Sequence, residues 1–365
     1  MEGKYPVSSR QVLALIAMFI LGTSLLFSLG QELGRHSWLG IITGFIAFLF
    51  LFWLYYFLLK LEPGKSLFGL NEQAFGRGLG TVINLWYLIY FFVLLSVVVG
   101  NFVDFINSVI LIQTPEILLT IFLTLTAAYA VKKGLESIAR LSEIMVFCVF
   151  TTAIVVTLLL FDKIDTTNFW PLWPQNWALV LRSGFSILTF PFGETVIFLS
   201  IFYQLGGPQK VSKGFFWGSV VGVFVLLVIA LRNIAVLGEF VKFSTYPAYD
   251  SVRLINIARF ITRAEVVISL NYMFAGYVKA TTVYYSLCLG LKEIFRLKTY
   301  QHLVLPIAAL VILNAHLSFS TNVQNVFFAF EVYPFFAIIF QLILILATLI
   351  MLLIKKQLGR RRPTI

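Results

Sequence analysis

The chain has few charges. Asp, Glu, Lys and Arg make up 12% of its 365 residues, about half of the roughly 25% usual in a soluble globular domain. An ordinary water-facing surface is thereby ruled out for most of its length. Cysteine is nearly absent. Cys148 and Cys288 both lie in apolar stretches, which argues against a disulfide framework or thiolate metal site and predicts two unpaired, buried thiols. Histidine is limited to His36, His302 and His316. No His-Glu-x-x-His, cysteine-rich or aspartate-rich metal spacing occurs, and no phosphate-binding P-loop. Gly76, Gly78 and Gly80 follow a short polar segment and not a strand, so they do not read as a nucleotide loop. An intramembrane enzyme has little support on these grounds, and no cofactor or metal is expected.

Apolar sequence is abundant instead: 60% of residues, with a mean hydropathy of +0.94. Runs of about 20 apolar residues recur. They predict helices at roughly 10–29, 37–59, 79–107, 115–131, 138–161, 178–203, 214–238, 264–290, 302–316 and 331–354, ten in all. The runs are longer than the alternating segments of a barrel, so helices must satisfy the backbone. The first run has no Ala-x-Ala-like cleavage site and exceeds a signal-peptide core, so it is expected to be retained. The expectation is an all-α integral membrane protein forming a single transmembrane domain over 1–365.

The formal charge of +11 sits largely on one side. Of the 27 Lys and Arg, only Arg35, Lys163, Arg182, Lys242, Arg253, Arg259 and Arg263 fall on the side opposite the termini, and Arg232 and Lys279 lie inside spans. The excess on the other side places both termini in the cytoplasm. The basic tail over 355–365, with Lys355, Lys356, Arg360, Arg361 and Arg362, then reads as a topology and anionic-lipid signal and not as a nucleic-acid site.

Ten spans divide into two sets of five, about 10–161 and 178–354, and an odd number per set inverts the second set relative to the first. In such inverted repeats, Gly/Pro-interrupted spans at matching positions point to the binding site. Spans one and six qualify. Gly22, Thr23 and Ser24 interrupt the first; Phe190, Pro191, Phe192, Gly193 and Glu194 interrupt the sixth. Proline removes a donor and glycine tolerates unusual backbone, so both helices are expected to break there. A plain proline kink is the simpler alternative. Glu194 argues against it, because an ionisable group at the bilayer centre costs about 2.5–3.5 kcal/mol on insertion scales and marks a ligand or proton pathway.

Glu194 is placed to accept a hydrogen bond from a ligand ammonium, to carry a proton, or to pair with a buried cation. Lys279 in span eight has two readings, an ammonium standing in for a coupling cation or a lysine that bonds carbonyls of the broken first helix, and both set it near span one. Arg232 in span seven is expected to partner a carboxylate or helix ends. Asn101 and Asp104 share one face of span three near its outer end. The stretch 246–263 has Val252, Ile255, Ile257 and Phe260 set against Arg253, Arg259 and Arg263, an amphipathic helix expected along the outer surface.

Several stretches together resemble one family across nearly the whole chain. They are Ser8-Ser9-Arg10-Gln11 before span one, Lys133-Gly134-Leu135-Glu136-Ser137-Ile138-Ala139-Arg140 with Glu143, and Phe190 to Glu194. Val252-Arg253-Leu254-Ile255-Asn256-Ile257 and Lys279 complete the set. The chain resembles the B subunits of GerA-type spore germinant receptors, in the amino acid-polyamine-organocation transporter superfamily. The resemblance implies a LeuT-like fold of ten helices with a 5+5 inverted repeat and broken helices 1 and 6, in the inner membrane of a bacterial spore. It implies a small nutrient ligand, amino acids being favoured, and partner A and C receptor subunits. In that picture Gly22, Thr23 and Ser24 meet a ligand carboxylate, while carbonyls near Phe190 and Phe192, with Glu194, meet an ammonium. Val98, Asn101 and Thr282 close the pocket, and Glu194 and Lys279 form an ion or proton site. The alternatives are a proton-coupled amino acid transporter and a ligand-gated ion or water conduit.

Overall fold

The computed structural model describes residues 7–255, 265–318, 324 and 327–360. Among these residues the chain is helical and has no strand. Its helices are α1 (Ser9–Leu21), α2 (Ser37–Leu61), α3 (Leu67–Phe75), α4 (Arg77–Phe105), α5 (Glu116–Lys133), α6 (Leu135–Leu159) and α7 (Trp177–Ile187). Then come α8 (Phe202–Leu205), α9 (Pro208–Leu237), α10 (Pro247–Arg253), α11 (Glu265–Ile294), α12 (Val304–Ser318), α13 (Tyr333–Ile338) and α14 (Leu344–Arg360). Each of the ten expected ranges is occupied by helix. Among the described residues, six continuous stretches are long and apolar enough to cross a membrane: Gln31–Leu61, Arg77–Ile110, Leu135–Leu159, Trp177–Ser200, Pro208–Lys242 and Phe328–Leu358; Ser9–Leu21 and Gln301–Leu317 are shorter apolar helices.

The start of α1 follows from its sequence. Ser8 N–H donates to Gln11 Oε1 at 2.9 Å and Gln11 N–H donates to Ser8 Oγ at 3.1 Å, a reciprocal cap that satisfies two donors the helix leaves unpaired. From Leu15 to Leu21 every residue of α1 is buried, so this helix is the core of the bundle. Its closest neighbour is α9. Gly214, Gly218 and Gly222 lie along the contact, and a Cβ on Gly218 would stand 2.6 Å from Leu13 O and 2.8 Å from Ile16 Cβ. Small residues every four positions let two helix backbones approach, which drives association where lipid removes any hydrophobic difference.

The packing is reciprocal between the halves. The first span, α1, packs on the seventh, α9, while the sixth, α7 with its continuation, packs on the second, α2. The third and eighth spans, α4 and α11, pack on each other, as do the fourth and ninth, α5 and α12. That exchange of partners is what an inverted repeat produces. Large exposed side chains such as Trp53, Trp86, Phe122, Phe147 and Leu181 lie on the perimeter, where a lipid solvent accepts them.

Three features depart from the sequence expectation. α3 was not foreseen, because nine residues with Asn71 and Glu72 carry no spanning signal; Ser66 Oγ caps it from Gly69 N–H at 3.0 Å. The amphipathic helix expected over 246–263 ends at Arg253, and Asn256, Ile257, Arg259, Phe260 and Arg263 lie outside the described residues. Its first part is no surface strip: Pro247, Ala248, Ser251 and Val252 are buried, wedged against α9 and α11. Cys288 is buried but Cys148 is only half-buried, and neither is in a disulfide. Arg361 and Arg362 of the tail also lie outside the described residues.

Candidate functional site

Both suspected interruptions are breaks in the helix. At the first, α1 stops at Leu21, Gly22 adopts φ −2°, ψ −119°, and a single tight turn over Thr23–Leu25 follows. At the sixth, α7 passes into a wide turn over Leu188–Phe192, in which Phe190 leaves helical geometry at φ −131°, ψ 111°, and then into a tighter helix over Gly193–Ser200. The irregular backbone is buried in protein, the condition under which it persists at membrane depth.

Lys279 of α11 joins the two breaks. Its Nζ donates to Thr23 Oγ1 at 2.9 Å and pairs with Glu194 Oε2 at 2.5 Å, the two side chains being 0% and 1% exposed. The ammonium also lies 4.9 Å from the Phe190 ring centre and 5.5 Å from that of Phe19, where ring faces favour a desolvated cation. Gly22 makes room for it, since a Cβ there would collide with Lys279 Cδ and stand 2.9 Å from Phe19 O.

The other carboxylate oxygen ends a hydrogen-bonded relay. Tyr333 of α13 donates to Glu194 Oε1 at 2.8 Å. The hydroxyls of Tyr90 and Tyr333 are 3.0 Å apart, and with the Tyr333 proton committed to Glu194, Tyr90 must be the donor. Gln341 Nε2 in turn donates to Tyr90 OH at 2.9 Å and to Thr189 O at 3.0 Å. Tyr55 of α2 donates to Gln341 O at 2.9 Å. From Gln341 Nε2 through Tyr90 and Tyr333 the donors run toward Glu194, an order in which successive bonds polarise one another. Gln341 Oε1, beside Gly193, has no hydrogen-bond partner among the described residues.

A cavity of about 310 Å³ opens on this network, lined by residues including Thr23, Val98, Asn101, Phe190, Glu194 and Tyr333. Only about 20 Å³ of it is wide enough for a water molecule. Phe27, Phe190 and Phe330 meet over it edge to face, with ring centres 6.2–6.4 Å apart. Arg182 and Glu331 form an exposed ion pair of 2.5 Å linking the sixth span to the segment before α13.

Of the residues singled out from sequence, Thr23, Val98, Asn101, Phe190 and Glu194 come together around this cavity, with Gly22 and Lys279 directly behind. The others lie elsewhere. Ser24 donates to Ile20 O at 2.8 Å and lines a second cavity. Phe192 stacks on Phe48, ring centres 5.4 Å apart, Pro191 is buried in the wide turn, and Gly193 backs onto Gln341. Thr282 donates to its own helix at Val278 O, 2.7 Å. Among the described residues Arg232 meets no carboxylate; its Nη2 donates to Asn233 Oδ1 at 3.0 Å. Sequence reasoning passed over Tyr333, Tyr90, Phe27 and Gln341. The amide of Gln341 within the apolar tenth span was a usable signal, whereas nothing distinguished Tyr333 or Tyr90 among 15 tyrosines.

These features define a multi-pass helical membrane protein with a transporter-type fold and a buried polar centre between two broken helices. The same fold occurs in solved transporters. One is a Na+-coupled sialic acid symporter in a substrate-bound outward-open state, with a TM-score of 0.67 and 9% identity over 93% of this chain and 80% of the symporter. Another is Mhp1, a nucleobase-cation-symport-1 family transporter in a closed conformation, with a TM-score of 0.66 and 12% identity over 92% of this chain and 75% of Mhp1. The chain belongs to the spore germination protein family, whose model matches residues 6–323. Relatives include spore germination protein KB of Bacillus subtilis (strain 168), 29% identical over 324 residues that span 87% of this chain and 86% of the relative. Spore germination protein B2 of the same organism is 22% identical over 343 residues, 90% of each chain. Family and fold are thus those of permeases and transporters, and the fold is the LeuT-like one expected from the resemblance.

Proposed function

We propose that this chain is the nutrient-sensing membrane subunit of a spore germinant receptor. It lies in the inner spore membrane with both termini cytoplasmic and works with A and C receptor subunits. The observation that carries this reading is the Lys279–Glu194–Thr23 bridge, which ties both broken helices to α11 beside a small cavity. A zwitterionic amino acid suits such a centre, its ammonium competing for Glu194 and its carboxylate for the Lys279 ammonium and the first break. Rearranging the bridge shifts the helices it joins, and the nutrient drives that shift to the extent that it binds one arrangement better than the other. The partner subunits receive the shift. The test is nutrient-triggered germination of spores carrying Glu194→Gln: a lost or strongly weakened response is expected, and an unchanged response would remove Glu194 from the site.

A second reading is solute transport coupled to protons, favoured by the buried Lys279–Glu194 pair, across which a proton can pass to leave both groups neutral. Counterflow in proteoliposomes separates the two. Sustained exchange of labelled solute supports transport, and binding without exchange supports sensing.

A further inference from the structure

α5 packs on α11, and beside that contact one face of α5 is left uncovered. Leu118, Phe122, Leu125 and Tyr129 recur every three or four residues, so they share that face, and all four are exposed. With Tyr277 of α11 they line an open groove of about 900 Å³, of which about 540 Å³ is wide enough for a water molecule. The polar groups along its floor are already engaged. Thr126 Oγ1 donates to Phe122 O at 3.0 Å and to Leu123 O at 2.8 Å, and the Tyr277 hydroxyl donates to Thr126 O at 3.3 Å.

The same face ends in charge. Lys133 follows Tyr129 by one helical turn, and its ammonium stands 5.3 Å from the Tyr129 ring centre, which sets it on the rim of the groove. Lys132 and Lys133 are exposed, and neither is in an ion pair among the described residues. Glu136, the nearest carboxylate along the chain, is held by Arg140 at 2.5 Å. The Val131 carbonyl at the helix end is already served by Gly134 N–H and the Tyr300 hydroxyl, at 3.1 and 3.2 Å. From Leu118 to Tyr129 the groove covers about 17 Å of helix, a little over half of the roughly 30 Å hydrocarbon core. A partner helix is a poor fit, because membrane helices associate through small residues and hydrogen bonds between helices, whereas this groove offers large side chains with Thr126 and Tyr277 already bonded.

We propose that this groove binds an anionic phospholipid, with one acyl chain along Leu118, Phe122 and Leu125 and the headgroup phosphate against Lys133 beside Tyr129. An acyl chain asks for apolar width, and a phosphate asks for an unpaired cation at headgroup level, where tyrosines also concentrate. Both stand on one helix face in the order a lipid presents them. With both termini cytoplasmic, as proposed above, this end of α5 meets the cytoplasmic leaflet, where anionic lipids gather. The bound lipid ties α5 to α11 at Tyr277, two residues from Lys279, so its occupancy bears on the helix that carries the buried pair. Binding at the groove requires neither the nutrient nor that orientation.

Phosphatidylglycerol and phosphatidylcholine with the same acyl chains are the probes. The full-length chain, purified in detergent and stripped of lipid, is titrated with each. Native mass spectrometry counts the lipids retained per chain, and the thermal unfolding midpoint is followed, since a ligand that binds only the folded state raises it. The expected result is one tightly held phosphatidylglycerol per chain, preferred over phosphatidylcholine by about fivefold or more, with a saturable rise in the midpoint. Lys133→Gln should weaken phosphatidylglycerol by about fivefold, the worth of one basic side chain beside an anionic headgroup, and Lys133→Arg should keep the preference. Leu125→Trp, which fills the groove, should abolish tight retention of either lipid. The proposal is overturned if folded wild-type protein shows no preference for phosphatidylglycerol, or if Lys133→Gln or Leu125→Trp titrates as wild type does. Dimerisation of the lipid-free chain that Leu125→Trp abolishes, with no lipid retained by the wild type, would assign the groove to a second copy and overturn it as well.

Discussion

Glu194 and Lys279 lie 85 residues apart in sequence and 2.5 Å apart in space, in a contact closed to solvent on every side. Each is a charge that the bilayer interior penalises. Together, with Thr23 bonded to the ammonium and Tyr333 to the other carboxylate oxygen, they form one buried unit.

A double-mutant cycle measures that dependence. Glu194→Gln leaves the Lys279 ammonium buried without its counter-charge, and Lys279→Met does the converse; each should cost about 3–5 kcal/mol of stability. Glu194→Gln with Lys279→Met should recover most of the loss, because the charge left behind is removed too. Unfolding in mixed micelles gives the three values. Additive losses would show that the pair does not act as one unit.

Gly22→Ala tests the fit at the first break. The new methyl has Phe19 O at 2.9 Å and Lys279 Cδ in collision, so the lysine must shift and its bond to Thr23 Oγ1 must lengthen. The expected result is weakened nutrient binding with a stability loss of about 1–3 kcal/mol, as for other overpacked sites. Gly78→Ala, where a Cβ meets nothing within 4 Å, should leave both unchanged.

Gly218→Ala probes the α1–α9 seam. Here the clash is with backbone, Leu13 O at 2.6 Å, which cannot swing aside as a side-chain end can. A fall in thermal midpoint equivalent to about 1–3 kcal/mol is expected. Circular dichroism of the purified variant, read against Gly78→Ala, gives the answer.

Tyr333→Phe removes the last donor of the relay and leaves Glu194 Oε1 without its 2.8 Å partner. Loss of a hydrogen bond to a charged group should cost about 1.5–3 kcal/mol. Binding of an amine-bearing nutrient should change as well, because Glu194 and Tyr333 both line the cavity. Thermal unfolding and ligand titration of one preparation read both effects.

Much of this arrangement is written in the order of residues along the chain. Uninterrupted apolar runs mark the helices, and Pro191, Gly193 and Glu194 in one run mark the break, because each is costly in an intact membrane helix. Lys279 was expected near span one and lies against Thr23. What escaped detection depends on which side chains meet across large separations. Tyr333 and Gln341 reach Glu194 and Tyr90 only because the tenth span packs on the sixth, and a tyrosine in an aromatic-rich chain gives no local sign of that. The local bonds of Ser24 and Thr282 were hidden for a different reason: a hydroxyl in a helix readily bonds the carbonyl one turn back, and both do so here at 2.8 and 2.7 Å. The early end of α10 was hidden too, since amphipathic spacing continues past the residue where the helix stops.

The sensing proposal stands or falls on a small nutrient being bound at the Glu194–Lys279 centre. Its most direct test is equilibrium binding of a radiolabelled panel of amino acids, sugars and nucleosides to the purified full-length chain, run beside Glu194→Gln. Saturable binding of one amino acid by the wild-type chain, lost in the variant, is expected. Saturable binding that survives Glu194→Gln in full, or none by demonstrably folded wild-type protein, would contradict it.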